Sequence, residues 1–299
     1  MKLVPSALVI GMLSTVAASA EQRPTVGYAR LFSNDFFGDG QDRWRTGSYA
    51  LSILKKRGDP VHSAAADVLE YRLRAEIVAP SNLARPSATD RPYAGILSFG
   101  VHHHSKRNGF ETDLGLDLVT VGDQTGLLDF QRDFHGMFGG GNFGPVPQIG
   151  DAIYPTLLGE LAKPITLSEF ASVRPFVEAQ VGVETFIRTG VDLELGRACQ
   201  GQFMVRDVTT GQRYTGFTCQ DGSFTTASLG IDVAHVFDSH YFPSSSDVTF
   251  AETRPRVRLG IHRVGRNASI FYGLTWLGEE FKGQPESQVV GSISINLRF

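Results

Sequence analysis

Apolar and polar residues alternate along many segments of this chain, and this alternation constrains the fold more than any other feature of the sequence. In residues 256–262, for example, Val257, Leu259 and Ile261 share one side of an extended chain, opposite arginine, glycine and histidine residues. Successive side chains of a β-strand point to opposite faces of a sheet, so a period of two indicates strands with one apolar face. The pattern recurs in residues 110–118, 191–195 and 292–299, which predicts an all-β protein.

The alternating segments are separated by turn-forming residues, and counting them gives about twelve strands. An even number of strands is typical of bacterial single-chain membrane barrels. The predicted strands are residues 23–33, 47–57, 67–79, 93–105, 109–121, 155–164, 173–184, 187–198, 223–238, 254–264, 268–278 and 288–299.

The chemistry of the two strand faces favours a barrel in a membrane. One face is uniformly aliphatic or aromatic, while the other carries charges of both signs. In lipid every backbone polar group must be paired within the protein, so such a sheet has to close. We therefore expect an antiparallel up-and-down transmembrane β-barrel with its apolar face toward lipid, and a secreted β-sandwich is the alternative. Aromatic residues near strand ends fit interfacial girdles, namely Tyr49, Tyr93, Tyr272, Trp276 and Phe299.

The N-terminus predicts export. Residues 1–20 combine a basic start, an apolar stretch and the small-residue site Ala18-Ser19-Ala20, as in a secretory signal peptide. The barrel domain would then span residues 21–299, and it contains no apolar run near the ~20 residues of a membrane helix. A bacterial outer-membrane location follows. In that oxidising setting Cys199 and Cys219 are expected to form a disulfide, and a catalytic thiol is the weaker alternative.

The barrel pattern and the last strand also indicate the partners of the protein. A barrel of this kind is surrounded by outer-membrane lipid, and a terminal Phe299 on an alternating last strand resembles the signal that barrels present to the barrel-assembly machinery. No nucleic-acid partner is expected. The polar strand faces would fill the lumen with a network of paired charges rather than an open pore. Its predicted members are Glu111, Asp113, Asp117, Glu178, Asp192, Glu194, Arg256, Arg258 and Arg298.

One segment breaks the alternation. In residues 127–138 the apolar residues, together with Gln131 and His135, recur at helical spacing, and three glycines follow. This predicts a short helix inside a long loop. Successive connections of an up-and-down barrel alternate between its two ends, so the loops 34–46, 80–92 and 122–154 should meet on the outer side.

These loops bring together side chains that could cleave an ester. Gln131 and His135 lie one helical turn apart, and an imidazole can serve as a general base at neutral pH, although a surface histidine is the alternative. Asn34 and Asp35 could bind calcium through oxygen atoms, or only start a turn. Thr46 could orient water or substrate with its hydroxyl group, or only start a strand.

The second loop offers charged side chains. Asp90 and Arg91 could pair to fix the loop, and Arg85 could face an anionic phosphate. The tract His102-His103-His104 resembles a metal site by composition. Consecutive strand residues point to opposite faces, however, so we predict a structural role for these histidines.

The motifs resemble those of the outer-membrane lipid A 3′-O-deacylases of the LpxR type. The resemblance covers essentially the whole mature chain. It rests on NDFF at residues 34–37, TDRPYAG at 89–95, Gln131 before FHGMFG, and EFKGQ at 280–284 followed by the terminal GSISINLRF. The resemblance implies a barrel of about twelve strands. It also implies a histidine that activates water and a calcium ion that stabilises the oxyanion as the 3′-acyloxyacyl chain leaves lipid A.

Carried over by position, the resemblance assigns catalytic roles to His135, Gln131, Asn34 and Thr46. It places calcium at Asp35 and Asn34, and the predicted substrate contacts are Arg85, Asp90 and Arg91. Two positions depart from the family pattern. Only Arg85 stands where a basic pair is expected, and glycines 139–141 replace an expected glutamate. A barrel without catalysis, serving as a narrow channel or scaffold, and an outer-membrane phospholipase are the alternative functions.

Overall fold

The computed structural model of the protein describes residues 24–56, 67–137, 143–196, 202–217, 223–265 and 268–297. The predicted signal peptide, Cys199, Cys219, glycines 139–141 and Arg298 lie outside these residues. Within the described part, no helix is both long and apolar enough to cross a membrane. The strands of the described residues are β1 (Thr25–Asn34), β2 (Trp44–Lys56), β3 (Asp67–Ala79), β4 (Ala94–Arg107), β5 (Phe110–Val121), β6 (Ala152–Ala162), β7 (Ile165–Ser168), β8 (Ala171–Val181), β9 (Glu184–Gly196), β10 (Phe203–Arg206), β11 (Arg213–Phe217), β12 (Phe224–Ser239), β13 (Thr253–Val264), β14 (Ala268–Leu277) and β15 (Gln288–Leu297). The α-helix in this part of the chain, α1, spans Leu127–Met137.

Twelve long strands among the described residues close into one antiparallel barrel. The ring closes where β1 pairs with β15, with Phe32 opposite Ile293, and where β6 pairs with β8, bypassing the short strand β7. Closure removes the sheet edges that would otherwise expose unpaired backbone groups. The predicted fold class and strand number are confirmed, and so is the short helix in the third loop.

The outer wall of the barrel is apolar, as predicted. Leu116, Leu118 and Ile261 are each at least half exposed, and so are residues at equivalent positions around the wall. Their neighbours along each strand point inward and are polar, so the alternation separates lipid from lumen.

The lumen holds a dense network of ion pairs, as expected from the charged strand faces. Glu160 accepts hydrogen bonds from Arg174 and Arg206, each at 2.5 Å. Asp192 binds Arg206 and Arg258, at 2.6 and 2.8 Å. The predicted interior position of this network is therefore confirmed for the described residues.

A hairpin inside the lumen was not predicted. Strands β10 and β11 belong to the connection between β9 and β12, at the end of the barrel opposite the first loop, and they pair with each other rather than with the wall. Val205 and Tyr214 of this hairpin pack against Leu31 and Leu54 of the wall. Gln212 lies between β10 and β11, and its side-chain amide donates hydrogen bonds to backbone carbonyl oxygens of β13 and β14.

The histidine tract lies in β4 and takes part in this interior network. His104 contacts Glu70 at 2.7 Å, and His102 contacts Asp113 at 3.3 Å, while His103 faces outward. The structural role predicted for the tract agrees with these contacts.

Three loops meet at the outer end, which we define as the end carrying residues 35–43, 80–93 and 122–151. The returning part of the third loop is fixed to the second, because Tyr93 N donates to Pro147 O at 2.8 Å and Ile149 N donates to Tyr93 O at 2.9 Å. Leu128 of α1 packs with Leu83 and Tyr93. The helix is therefore held in place by the second loop.

Candidate active site

A groove runs along the outer wall of the barrel, between the first loop and α1. It consists of two adjoining cavities, with volumes of about 540 and 230 Å³. Both cavities are lined by Phe32, Asn34, Asp42, Phe134 and His135, so these residues mark their junction. Most of the surrounding surface is apolar, and the polar groups are concentrated at the junction.

The first loop bends outward over the rim. Asn34 caps the 3-10 turn Asp35–Phe37, because its side-chain oxygen accepts a hydrogen bond from Phe36 N at 2.8 Å. Tyr272, which points outward from β14, donates its hydroxyl hydrogen to Phe37 O at 2.9 Å. The turn thus lies on the lipid side of the wall, where Phe36 is 74% exposed.

Asp35 carries a buried carboxylate. Its side chain accepts a hydrogen bond from Arg43 N at 2.8 Å, and no lysine, arginine or histidine of the described residues forms an ion pair with it. Burial, together with the nearby carboxylates Asp42 and Asp39, raises the pKa of Asp35 to about 8, although the hydrogen bond from Arg43 N lowers it. A negative charge here therefore needs a cation to compensate it.

The oxygen atoms around Asp35 are of the kinds that a hard cation takes as ligands. Among the described residues, no group of three or more His, Cys, Asp or Glu side chains is arranged to hold a metal ion. Calcium, however, also takes amide, hydroxyl, backbone and water oxygens on flexible loops. The carboxylate of Asp35 and the side-chain oxygen of Asn34 would be the protein ligands of such an ion. The carboxylate of Asp42 lies at the same junction.

A β-bulge aims Thr46 at this junction. The pairing between β2 and β3 shifts between Arg45 and Gly47, which leaves Thr46 as the extra residue. Arg45 consequently enters the lumen, where it donates to Glu280 at 2.8 Å. Thr46 faces the groove and donates its hydroxyl hydrogen to Asp42. Without the bulge, strict alternation would place Thr46 on the inward face with Ser48.

Helix α1 contributes the imidazole and the amide. His135 Nε2 lies 3.2 Å from Asp42 Oδ2, and the ring of His135 packs edge-on against Phe143. Gln131 is buried one turn earlier, and its side-chain oxygen has no hydrogen-bond partner among the described residues. An unpaired buried amide oxygen next to an imidazole is a polar group that a substrate could satisfy.

The predicted site residues therefore divide into two sets. Residues of the first and third loops meet at the groove: Asn34, Asp35, Thr46, Gln131 and His135. The predicted charged residues of the second loop do not line it. Among the described groove residues, the sequence analysis missed Asp42, whose only local signal was its place in a polar loop next to Thr46.

Asp90 and Arg91 form contacts within the protein. Asp90 accepts hydrogen bonds from Trp44 Nε1 at 3.3 Å and from Ser81 N at 2.6 Å, which ties the second loop to β2. Arg91 is fully buried and donates to Glu280. The predicted substrate contact of Arg91 does not fit this placement, since its guanidinium cannot reach the surface. Arg85 is exposed, and its contact with a phosphate group stays a prediction.

The fold and the position of this groove define a class. The protein is an outer-membrane β-barrel that carries a polar site on its lipid-facing wall, at the outer rim.

The chain belongs to the LpxR family. The model of this family, described as outer membrane protein LpxR, matches residues 3–299. Among solved structures, LpxR from Salmonella typhimurium is similar with a TM-score of 0.78 and 18% identity, over 91% of this chain and all of that one. The β domain of the Bordetella autotransporter BrkA is similar with a TM-score of 0.47 and 12% identity, over 92% of this chain and 99% of that one. A comparison with curated proteins gave no match.

Proposed function

We propose that the protein is a lipid A deacylase of the outer membrane, and specifically a calcium-dependent carboxylic ester hydrolase that removes the 3′-acyloxyacyl chain. The family supports an activity on lipid A. The observation that carries the chemistry is the contact between His135 Nε2 and Asp42 Oδ2 in a groove that opens toward lipid.

The His135–Asp42 contact assigns a role to each ring nitrogen. Because Nε2 faces a carboxylate, the N–H group lies on Nε2 and Nδ1 retains its lone pair. Nδ1 can then take a proton from a water molecule as that water attacks the ester carbonyl carbon. Asp42 stabilises the resulting imidazolium and fixes its orientation, as a carboxylate does in other hydrolase triads.

The second half of the reaction returns the proton. The bond between the carbonyl carbon and the sugar oxygen breaks, and the imidazolium donates its Nδ1 proton to that oxygen. The products are the free acyloxyacyl carboxylic acid and a hydroxyl group on the sugar of lipid A. Gln131 lies one helical turn from His135, where an amide N–H can donate to the carbonyl oxygen as negative charge develops.

Calcium fits the uncompensated carboxylate described above. When bound, an ion held by Asp35 and Asn34 would supply positive charge that polarises the ester carbonyl. Its binding would also remove the unfavourable burial of a bare carboxylate at Asp35.

The location of the groove matches a lipid substrate. Phe32, Phe36 and Phe134 line its larger cavity and are all exposed, so an acyl chain in the outer leaflet can approach without leaving an apolar environment. The sugar portion would face the polar rim. Exposed Arg85 is the predicted contact for a lipid A phosphate.

The direct test is mass spectrometry of lipid A from cells that express the wild-type protein, His135→Ala or His103→Ala. We expect the wild type to release the 3′-acyloxyacyl chain and His135→Ala to leave lipid A intact. His103→Ala is the matched control, because this histidine is exposed in β4 and far from the groove. Chelating calcium from the purified wild type should stop the reaction, and added calcium should restore it.

The outcomes separate the alternatives. Unchanged lipid A in wild-type cells, together with no activity of the purified protein, would support a channel or scaffold. Fatty acid release from glycerophospholipid vesicles without any cleavage of lipid A would identify a phospholipase.

A further inference from the structure

The smaller cavity of the groove contains a slot in the barrel wall. Its floor is made by Gly47 of β2 and Ala75 of β3, which face outward where neighbouring outward positions carry large side chains. Tyr49 pairs with Ala75, and Ala75 pairs with Leu97 of β4. Ala75 is therefore the one small residue in the row Phe32, Tyr49, Ala75 and Leu97, and the wall is indented there.

Gly47 continues the slot toward the rim. It pairs with Asn34 on one side and with Ile77 on the other, so it lies directly between the polar junction and the position of Ala75. Two residues along a strand correspond to about 7 Å. The slot thus leads from the reacting groups down the wall toward the hydrocarbon region.

Helix α1 covers the upper part of the slot. The outward face of Gly95 lies under the start of the helix, where an added Cβ would be 3.1 Å from Leu127 Cβ. Leu127, Phe130 and Phe134 line the cavity from above, and the rings of Phe130 and Phe134 lie 6.2 Å apart. The slot is apolar on its floor and roof, and its polar lining is confined to the upper end.

We propose that this slot binds one acyl chain of the ester substrate and that Gly47 and Ala75 determine the chain length accepted. The proposal rests on the proposed function, since the chain's carboxyl end would lie at His135. An acyl chain is the occupant because the slot faces lipid and is continuous with the reacting groups, and because none of its described lining residues below the rim is charged. A larger side chain at either position would shorten the apolar path.

Substitutions at the two floor positions test this assignment. Gly47→Leu is tolerated by the backbone, because Gly47 is not among the glycines with positive φ and an added Cβ would lie no closer than 3.4 Å to Asn34 Nδ2. Ala75→Phe adds a ring to a lipid-facing position. Leu73→Phe is the matched control, because Leu73 lies on the same strand and face as Ala75 but outside the cavity.

The first measurement is turnover of lipid A species with short, medium and long acyl chains by each purified variant in detergent. Gly47→Leu and Ala75→Phe should lower kcat/KM for the longest chains roughly tenfold relative to the shortest, which is the loss expected when about two methylene groups lose apolar contact. Leu73→Phe should keep the wild-type preference. An unchanged preference, or an equal loss for all chain lengths in a variant that melts like the wild type, would overturn the proposal.

The second measurement does not depend on catalysis. A non-cleavable amide analogue with a photoreactive diazirine in its acyl chain is cross-linked to the wild type and to Ala75→Phe, and the labelled residues are mapped. Labels should concentrate at residues 47–49, 75–77 and 127–134 of the wild type and decrease in the variant. Labelling spread evenly around the wall would contradict the slot. If the wild type cleaves no ester, the proposed function fails, and the labelling pattern still decides whether the slot binds a chain.

Discussion

His135 Nε2 lies 3.2 Å from a carboxylate oxygen of Asp42, although four strands separate the two residues in the chain. The other oxygen of Asp42 accepts a hydrogen bond from Thr46. Asp42 therefore links the helix of the third loop to the bulge at the start of β2. This link fixes the orientation of the imidazole relative to the lipid-facing groove.

Replacing Asp42 by asparagine should remove the charge that supports the imidazolium while keeping the size of the side chain. We expect Asp42→Asn to lower kcat by roughly a hundredfold with little change in KM, a typical cost of a misoriented catalytic group. Steady-state kinetics on lipid A in detergent would measure it. Asp129→Asn is the control, because Asp129 pairs with Arg132 on the exposed side of the same helix. Equal kcat values for the two variants would exclude a role for Asp42 in positioning His135.

The hydrogen bond from Thr46 to Asp42 can be tested separately. Thr46→Val keeps the shape of the side chain but cannot donate to Asp42, whereas Thr46→Ser keeps the hydroxyl group. A hydrogen bond to a charged group contributes about 1.5–3 kcal/mol, so the valine variant should lose roughly tenfold or more in kcat. The serine variant should stay within a few fold of the wild type. Similar losses in both variants would show that the methyl group matters instead.

The fold and the meeting of the loops could be predicted from the sequence because both follow from the alternation of apolar and polar residues along the strands. Alternation identified the strand faces, and the alternating direction of successive strands placed the first and third loops at one end. His135 and Gln131 could be recognised because their spacing matches one helical turn.

Features that depend on contacts between distant residues could not be predicted in this way. Because of the bulge, Thr46 faces the groove and Arg45 faces the lumen, which is the opposite of what strict alternation along β2 would give. The alternation of β2 contains no signal of this bulge. Arg91 looked available for substrate because its partner, Glu280, lies in the last outer loop. The lumen hairpin was missed because its strands are shorter than the wall strands and contact the inside of the barrel.

Gln131 is buried, and its side-chain oxygen has no hydrogen-bond partner among the described residues, so its effects on stability and on activity can be measured separately. Replacing it by leucine removes an unpaired polar group and keeps a similar volume, so the melting temperature should stay the same or rise slightly. Activity should nevertheless fall by roughly a hundredfold if the amide donates to the oxyanion. Thermal melting and lipid A turnover of Gln131→Leu measure the two effects. A large loss of stability with normal turnover in the folded fraction would assign Gln131 a structural role.

The ion pairs of the buried Glu280 allow a prediction of how the stability of the outer end changes at low pH. Burial alone would raise its pKa, but Arg45, Arg91 and Arg254 lower the pKa of this carboxyl group to about 2. A carboxyl group whose pKa is depressed in the folded state stabilises the fold above its ordinary pKa of 4.5, and this contribution is lost as the pH falls through about 2. Glu280→Gln should therefore melt well below the wild type at pH 6, because it leaves the buried Arg91 without its carboxylate partner, and the difference should narrow toward pH 2. Circular dichroism melts of both proteins in detergent provide the measurement, with Glu279→Gln as the control in the same loop. A difference that stays constant from pH 6 to pH 2 would show that the charge of Glu280 does not stabilise the outer end.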